Sequence, residues 1–236
     1  MAPRFFFVHM LKSAGTSLFM QLPNHFGIDG VYPNETDGDP VEVAPQLDVQ
    51  QLIERWAIRG PEVRIVAGHF PLCTADLLGG EFTTMTILRD PVERTLSFLR
   101  HQRANAEDRT LPLEAIYERQ PRFDWLIHNH MVKMLSLTVD EMTGGAMTVV
   151  DFTDERLTRA KANLDRIDLV GLTEEFESFQ RQLQSRYSID LGSPIHANRT
   201  EPEAASEELR ARIRHDNALD VELYDYARVR QTSNGT

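Results

Sequence analysis

The chain has 236 residues, 41% of them hydrophobic, and its 25 basic residues stand against 36 acidic ones for a formal net charge of −11. This acidic balance argues against a nucleic-acid-binding protein, because phosphate contacts need a basic surface. Net charge describes the whole surface, so it does not exclude a local basic pocket. The single cysteine, Cys73, excludes an internal disulfide and a multi-cysteine zinc site. No stretch has the pattern of a signal peptide or a membrane-spanning helix, which predicts a cytoplasmic protein without a membrane span.

The first half of the chain reads as short buried strands, each followed by a helix. In chain order it contains a continuous apolar run, a turn with a helix start, a Pro- and Gly-rich loop or lid, an amphipathic helix and two more apolar runs, at residues 5–9, 11–22, 23–45, 47–58, 63–67 and 84–88. After the last run, Asp90 is suited to cap a helix, with proline at the first helical position and Glu93 at the third. This helix is predicted to end near residue 104.

The second half is mostly helical. Helices are predicted at residues 113–117, 125–137, 153–166, 174–187, 202–214 and 218–230, with a fourth strand at residues 168–171. Strands that alternate with helices indicate a parallel sheet. No repeat and no linker interrupts the pattern. The sequence therefore predicts one α/β domain, a parallel central sheet flanked by helices, over residues 1–236.

Three of the predicted strands end in residues that carry chemistry. Lys12 follows the first strand, His69 the second and Arg89 the third. In a parallel sheet with right-handed crossovers, the carboxyl ends of all strands meet at one edge, where ligands bind. The turn at residues 9–17 also opens a helix, whose free N–H groups and dipole attract anions. A phosphate or sulfate ester site is therefore expected at this edge.

The turn differs from the nucleotide-binding loop of kinases. A Walker A motif reads G-x-x-x-x-G-K-S/T, with the lysine after the last glycine and a hydroxyl for magnesium. Here Lys12 comes three residues before Gly15, and no earlier glycine lies in the loop. This difference weakens the hypothesis of a phosphotransferase that uses ATP and magnesium. The apolar run before Asp90 keeps that hypothesis open as an alternative.

At this point the sequence resembles the sulfotransferases that use 3′-phosphoadenosine 5′-phosphosulfate (PAPS), in particular the heparan sulfate 2-O-sulfotransferase-like group. The segment K-S-A-G-T-S at 12–17 is similar to that family's 5′-phosphosulfate loop, and L-R-D-P-V-E-R at 88–94 with Ser97 is similar to its 3′-phosphate motif. A-G-H-F at 67–70 resembles its H-G-H or G-H-F segment, G-L-T-E-E-F at 171–176 its G-L-T-E stretch, and H-A-N-R-T at 196–200 a late loop over the nucleotide. Leu11 replaces the usual proline, and Ala67 replaces the first histidine of the pair.

The resemblance implies a sulfotransferase domain of the P-loop nucleotide-kinase-like type, with variable acceptor-side segments at about 23–60 and 104–165. It implies catalytic roles for His69, as the base that takes the acceptor's proton, and for Lys12, at the bridging oxygen. It also implies that PAPS is held without a metal by Lys12, Ser13, Ala14, Gly15, Thr16, Ser17, Arg89, Ser97, Arg199 and Thr200. Gly68 is expected to leave room for the acceptor.

Each assignment has a plainer structural alternative. Thr16 and Ser17 would serve equally as helix caps, and Ser97 as a small packing residue. Arg89 could pair with the acidic residues that follow it. His69 could be a structural residue that caps the end of a strand, in which case a carboxylate from the lid, such as Glu42, would be the base. Lys12, Arg199 and Thr200 could be surface residues.

Two questions stay open at this stage. The pattern His128-Asn129-His130 looks metal-like, but residues two apart point to different sides of a helix, so ordinary helix surface is predicted. The acceptor is unknown; because an acidic protein is a poor host for a long polyanion, a small or neutral hydroxyl compound is favoured. A catalytically silent nucleotide-binding module is the third functional hypothesis.

Overall fold

The computed structural model of the protein describes residues 3–38, 44–105, 109–118, 123–142, 144–192 and 205–234. Five strands lie in this part of the chain: β1 (Arg4–Val8), β2 (Val31–Tyr32), β3 (Ile65–Gly68), β4 (Phe82–Leu88) and β5 (Leu169–Leu172). They form one sheet in the order β2-β3-β1-β4-β5, and every neighbouring pair is parallel. The predicted α/β domain with a parallel central sheet is confirmed.

The helices follow in chain order. They are α1 (Gly15–Phe26), α2 (Ala44–Leu47), α3 (Val49–Arg59), α4 (Thr74–Leu77), α5 (Pro91–Ala104), α6 (Leu113–Glu118), α7 (His130–Ser136), α8 (Asp154–Arg166), α9 (Phe176–Tyr187), α10 (Glu207–Asp216) and α11 (Ala218–Asn234). A π-helix spans Phe123–Ile127, and short 3-10 helices span Gly145–Met147 and Thr173–Glu175. No helix within the described ranges is both long and apolar enough to cross a membrane.

Alternation along β1 builds a core on each face of the sheet. Phe5 and Phe7 pack with α1 and α9, through apolar residues that include Leu18 and Phe179. Phe6 and Val8 point to the other face, where α3, α7, α8 and α11 supply Leu52, Met131, Leu157 and Leu223. Because strands buried on both faces need apolar side chains at every position, a continuous run such as residues 5–8 is what the fold requires.

A third apolar cluster lies apart from both sheet faces. It joins α5, α6, the π-helix and α10 through residues such as Leu96, Leu113, Ile127 and Ile213. Asp90 begins α5 as predicted: its carboxylate accepts the backbone N–H groups of Val92 and Glu93, both at 3.0 Å. Helix α5 therefore begins at the edge of the sheet, where Asp90 caps it, and extends into this third cluster.

Two local predictions were wrong. The expected loop at residues 23–45 contains β2, which pairs with β3 through Val31 and Ile65. The single helix expected at 125–137 is divided into the π-helix and α7, with Asn129 between them in the left-handed region at φ 42°. In both places pairing with distant parts of the chain outweighs local periodicity.

Candidate functional site

The ends of β1, β3 and β4 bring Lys12, His69 and Arg89 together at the carboxyl edge of the sheet. The Arg89 guanidinium donates to the backbone carbonyl of Lys12 at 3.0 Å. The His69 ring nitrogen Nδ1 lies 2.7 Å from the backbone carbonyl of His9. The convergence predicted for these three side chains is therefore present in the fold.

The turn before α1 leaves the start of that helix without a capping side chain. Lys12 and Ala14 both adopt left-handed backbone geometry, at φ 65° and 59°, and Ala14 is the N-cap of α1 without a capping side chain. Thr16 and Ser17 lie inside the helix, so the alternative that they act as its cap is excluded. The buried hydroxyl of Ser13 has no hydrogen-bond partner among the described residues. An uncapped helix start beside an unpaired hydroxyl is suited to an anion.

Lys12 and Arg89 are two cations held close to each other. Burial lowers the pKa of Lys12, and the charge of Arg89 lowers it further. The pKa of Arg89 is lowered mainly by burial, although Glu93 and Glu174 oppose the shift. No carboxylate in the described part of the chain lies within ion-pair distance of either side chain. Like charges that are partly buried without a close counter-ion mark a site for an anionic ligand.

The acidic residues beside Arg89 are engaged elsewhere. Asp90 caps α5, and Glu93 accepts from Arg210 at 2.8 Å. The alternative in which Arg89 pairs with one of them is therefore excluded by the geometry. Ser97 lies one turn beyond Glu93 on the same face of α5 and is only half-buried, whereas its neighbours Leu96 and Phe98 are buried. Ser97 therefore keeps part of its surface exposed, as a contact with a ligand would require.

His69 is presented as a neutral base. A carbonyl oxygen can only accept, so Nδ1 must donate to His9 and the free lone pair lies on Nε2. Burial lowers the pKa of His69 to about 4; the hydrogen bond to His9 opposes this shift and the charge of Lys12 adds to it. The ring is only half-buried, so solvent or a substrate reaches part of it. Neutral imidazole with an open lone pair is the form that accepts a proton.

Gly68 does not leave room for an acceptor, contrary to the sequence-based expectation. A Cβ at this position would lie 2.4 Å from the Phe70 ring and 3.0 Å from the carbonyl oxygen of Gln46. The space beside Gly68 is thus filled by the protein itself, and the glycine serves close packing.

The variable segments do border His69. The Gln46 carbonyl in α2 accepts the His69 backbone N–H at 2.7 Å. A Cβ on Gly145 would lie 3.0 Å from the Leu47 carbonyl oxygen, so the 3-10 helix Gly145–Met147 packs directly on α2. The π-helix contacts that 3-10 helix in turn. Parts of the predicted acceptor-side segments, 23–60 and 104–165, therefore form a continuous wall that begins at His69.

The G-L-T-E-E-F stretch stabilises the end of β5 beside this edge. The Thr173 hydroxyl donates to the Leu88 carbonyl at 3.1 Å, which fastens the end of β5 to the end of β4. A Cβ on Gly171 would lie 2.5 Å from the Phe179 ring. Glu174 accepts from the Tyr224 hydroxyl at 2.9 Å. These residues place Glu174 where its charge reaches Arg89.

The prediction of ordinary helix surface for His128-Asn129-His130 was wrong, since Asn129 and His130 are buried. They belong to a buried polar cluster that sequence reasoning missed, with Arg94, Lys133 and Asp220 as its charged members. Asp220 accepts the N–H groups of Met131 and Val132, and burial raises its pKa to about 6. Burial lowers the pKa of Lys133 to about 8. No local signal marks this cluster, because its members come from α5, α7 and α11.

The cluster anchors the π-helix, which is one element of the wall that begins at His69. Arg94 donates to the carbonyls of Leu126 and Ile127, at 3.1 and 2.6 Å, and Lys133 donates to that of Trp125 at 2.5 Å. Since Arg94 lies on α5, the helix that follows Arg89 also fixes part of this wall.

Two sets of predicted residues lie outside the described residues: Arg199 and Thr200 of the late loop, and Glu42 of the lid. In the described ranges, no group of three or more His, Cys, Asp or Glu side chains could hold a metal ion. Cys73 is buried.

Comparison with known proteins finds similarity to proteins named as sulfotransferases. No family model matches the chain. Heparan-sulfate 6-O-sulfotransferase 2 of Gallus gallus is 30% identical over 178 residues, which cover 62% of this chain and 43% of that protein. The protein of the same name from Homo sapiens is 29% identical over 178 residues, covering 62% of this chain and 29% of its own length. This chain thus spans less than half the length of these relatives.

A solved structure agrees at the level of the fold. The sulfotransferase from Alicyclobacillus acidocaldarius has a TM-score of 0.50 and 17% identity, with 94% of each chain covered. Together the similarities support a sulfotransferase family. The curated relatives carry the 6-O name, so the narrower resemblance to the 2-O group is not supported by them.

Proposed function

We propose that the protein is a sulfotransferase that moves a sulfuryl group from PAPS to a hydroxyl of an acceptor. The observation that carries this proposal is the pair Lys12 and Arg89, two partly buried cations that have no close counter-ion among the described residues and lie beside an uncapped helix start. A donor with a 5′-phosphosulfate and a 3′-phosphate offers one anionic group for each cation. The similarity to named sulfotransferases supports the same reading.

The proposed step is an in-line displacement. The acceptor oxygen attacks sulfur while the bond between sulfur and the oxygen of the 5′-phosphate breaks, and adenosine 3′,5′-bisphosphate leaves. Lys12 stabilises the charge that develops on the bridging oxygen, and N–H groups and hydroxyls of residues 13–17 hold the 5′-phosphate. Nε2 of His69 takes the acceptor's proton. Arg89 and Ser97 hold the 3′-phosphate, with a fork-shaped donor and a hydroxyl.

The two alternative functions receive no support. An ATP- and magnesium-dependent phosphotransferase would need a metal ligand beside the loop, and the candidate Asp90 is used as a helix cap. A silent nucleotide-binding module would have no use for a neutral histidine whose Nδ1 is fixed by a backbone carbonyl and whose lone pair on Nε2 is left to accept a proton. A cytoplasmic location remains a proposal from the sequence.

For the acceptor, we propose a small or neutral hydroxyl compound. The acceptor-side wall that begins at His69 is made from residues 45–47, the 3-10 helix Gly145–Met147 and the π-helix. Among these residues of the wall, only Asp124 is charged. A sulfated polysaccharide would be recognised by cations, as phosphate is, and the described residues of this wall supply none. Because the relatives are named for heparan sulfate, this polyanion is the acceptor with which a neutral compound should be compared.

The donor assignment is tested by Arg89→Ala. We expect this change to weaken the binding of adenosine 3′,5′-bisphosphate by about tenfold or more and to leave the binding of adenosine 5′-phosphate nearly unchanged. The reason is that the variant lacks the charge-assisted bond from Arg89 to the 3′-phosphate. Calorimetry with both nucleotides measures the difference. Arg210→Ala, which removes only the partner of Glu93, is the matched control. Equal losses for the two nucleotides in Arg89→Ala would refute the assignment.

The acceptor proposal is tested by comparing a neutral alkyl glycoside with an N-sulfated heparosan oligosaccharide. At equal concentrations we expect at least about tenfold faster formation of adenosine 3′,5′-bisphosphate with the neutral compound, because the described residues of the wall offer the polyanion no cation. A faster rate with the oligosaccharide would contradict the neutral acceptor and leave the donor assignment intact.

A further inference from the structure

His9 is a buried residue to which the proposed mechanism gives no role. It follows β1 directly and exposes only 4% of its surface. Its ring lies against the backbone of residues 12–17, the proposed nucleotide loop: a Cβ on Gly15 would lie 1.9 Å from Cδ2 and 2.0 Å from Nε2 of His9. The ring therefore contacts the start of α1, where the donor's 5′-phosphate is proposed to bind.

The same residue holds His69 in two ways. Its backbone carbonyl accepts from Nδ1 of His69 at 2.7 Å. Its ring lies against the His69 ring, with centroids 4.2 Å apart and planes inclined by 32°. On β1, the Phe7 ring stacks with His9 at 5.6 Å and 23°, so Phe7 limits the movement of His9.

His9 is held neutral. Burial lowers its pKa well below the ordinary value, and the neighbouring His69 and Lys12 lower it further. A neutral aromatic ring can lie against His69 both before and after His69 takes a proton, whereas a second cation would repel the protonated form. The contact is therefore compatible with the whole proposed cycle.

We infer that His9 is a positioning residue that fixes the ring orientation and tautomer of His69, through its carbonyl at Nδ1 and its ring against the imidazole face. The inference rests on the proposed function, in which Nε2 of His69 is the base. Without the His9 ring, His69 has space to rotate and to lose its hydrogen bond to the carbonyl. Nε2 would then point at the acceptor for only part of the time.

The test compares His9→Leu, which removes the flat ring, with His9→Phe, which keeps it. For His9→Leu we expect kcat to fall by about 10- to 100-fold, with the Kd of adenosine 3′,5′-bisphosphate within about twofold, since misplacing a catalytic group acts on the chemical step. His9→Phe should restore kcat to within about threefold, because the ring contact remains. Phe6→Leu is the control: it removes a buried ring from the same strand on the opposite face, and kcat should stay unchanged.

Nitrogen-15 chemical shifts of His69 give a readout that needs no turnover. We expect the Nδ1–H tautomer in the unaltered protein and in His9→Phe, and a mixture of tautomers in His9→Leu. If no hydroxyl acceptor is ever sulfated, the proposed function fails while these shifts still decide the role of His9. An unchanged tautomer with unchanged kcat in a folded His9→Leu protein would overturn the inference, as would loss of bisphosphate affinity with the tautomer intact. If His9→Leu does not fold, a folded His9→Phe protein that loses kcat by more than about tenfold overturns it, and one that retains kcat and tautomer supports it.

Discussion

Replacement of His69 by alanine is expected to lower kcat by about 10²–10⁴-fold and to leave the affinity for adenosine 3′,5′-bisphosphate near that of the unaltered protein. The reason is a separation of tasks along the sheet edge. Lys12 and Arg89, after β1 and β4, are proposed to hold the donor. His69, after β3, is joined through its backbone N–H to Gln46 of α2, on which the 3-10 helix Gly145–Met147 packs.

His69→Asn sharpens this test. An asparagine keeps a side chain that can donate toward the His9 carbonyl, but it cannot take a proton at neutral pH. We expect its kcat to fall nearly as far as that of the alanine variant, with bisphosphate binding intact. Turnover close to normal in both variants would refute the base role and turn attention to a carboxylate. Loss of folding or of nucleotide binding would support the alternative that His69 merely closes the strand.

The pH dependence follows from the state of the His69 ring. Only the neutral ring accepts a proton, so activity is lost as pH falls through the pKa of His69 and is retained above it. In the donor-free protein burial lowers that pKa to about 4. The negative charges of a bound donor favour the protonated ring, so the acid limb of kcat should lie at higher pH than the titration of His69 in the free protein. Nuclear magnetic resonance titration and a pH–kcat profile measure the two.

Much of this arrangement could be predicted because its signals are local. A run of apolar residues at 5–8 indicates a strand buried on both faces, and Asp90 followed by proline fixes the start of α5. The order of strand, turn and helix then places Lys12 and Arg89 at one edge of the sheet. Each of these inferences needs only neighbouring residues and the rule that parallel strands end on the same side.

What the sequence could not reveal depends on contacts between distant segments. β2 has two residues and exists because Val31 and Tyr32 pair with β3. Asn129 is buried where Asn217 and Asp220, near the last helix, meet it: its N–H donates to the Asn217 side chain at 2.9 Å, and its side-chain oxygen accepts the Asp220 N–H at 3.0 Å. Gly68 makes room for Phe70, which a motif read as a string does not disclose. Such pairings have no local periodicity.

Gly15 and Ala14 are adjacent residues of the loop that should respond in opposite ways to a change of one methyl group. Gly15→Ala places a Cβ 1.9 Å from the His9 ring, which is itself confined by the rings of Phe7 and His69. Because His9 is buried between these rings and the loop, we expect a loss of about 3 kcal/mol of unfolding free energy, at the upper end for overpacking. Bisphosphate binding should be lost as well, since the loop must move away from its anion-binding geometry.

Ala14→Gly should be tolerated. Ala14 has φ 59°, a left-handed conformation that costs an alanine about 1–2 kcal/mol and a glycine almost nothing. Glycine gains about 0.4–1 kcal/mol of conformational freedom when unfolded, so the net effect is a stability equal to or slightly above that of the unaltered protein. Gly80→Ala is the control for adding a methyl group to a glycine, because its Cβ would meet nothing closer than 3.5 Å.

Chemical unfolding and calorimetry with adenosine 3′,5′-bisphosphate measure all three variants. A Gly15→Ala protein with normal stability and normal affinity would show that the His9 ring can move to accommodate a methyl group. The close packing between the nucleotide loop and His9 would then be needed neither for stability nor for nucleotide binding. A marked loss in Ala14→Gly would mean that the loop needs the restricted backbone of alanine to hold its anion-binding shape, so that rigidity rather than strain governs this turn.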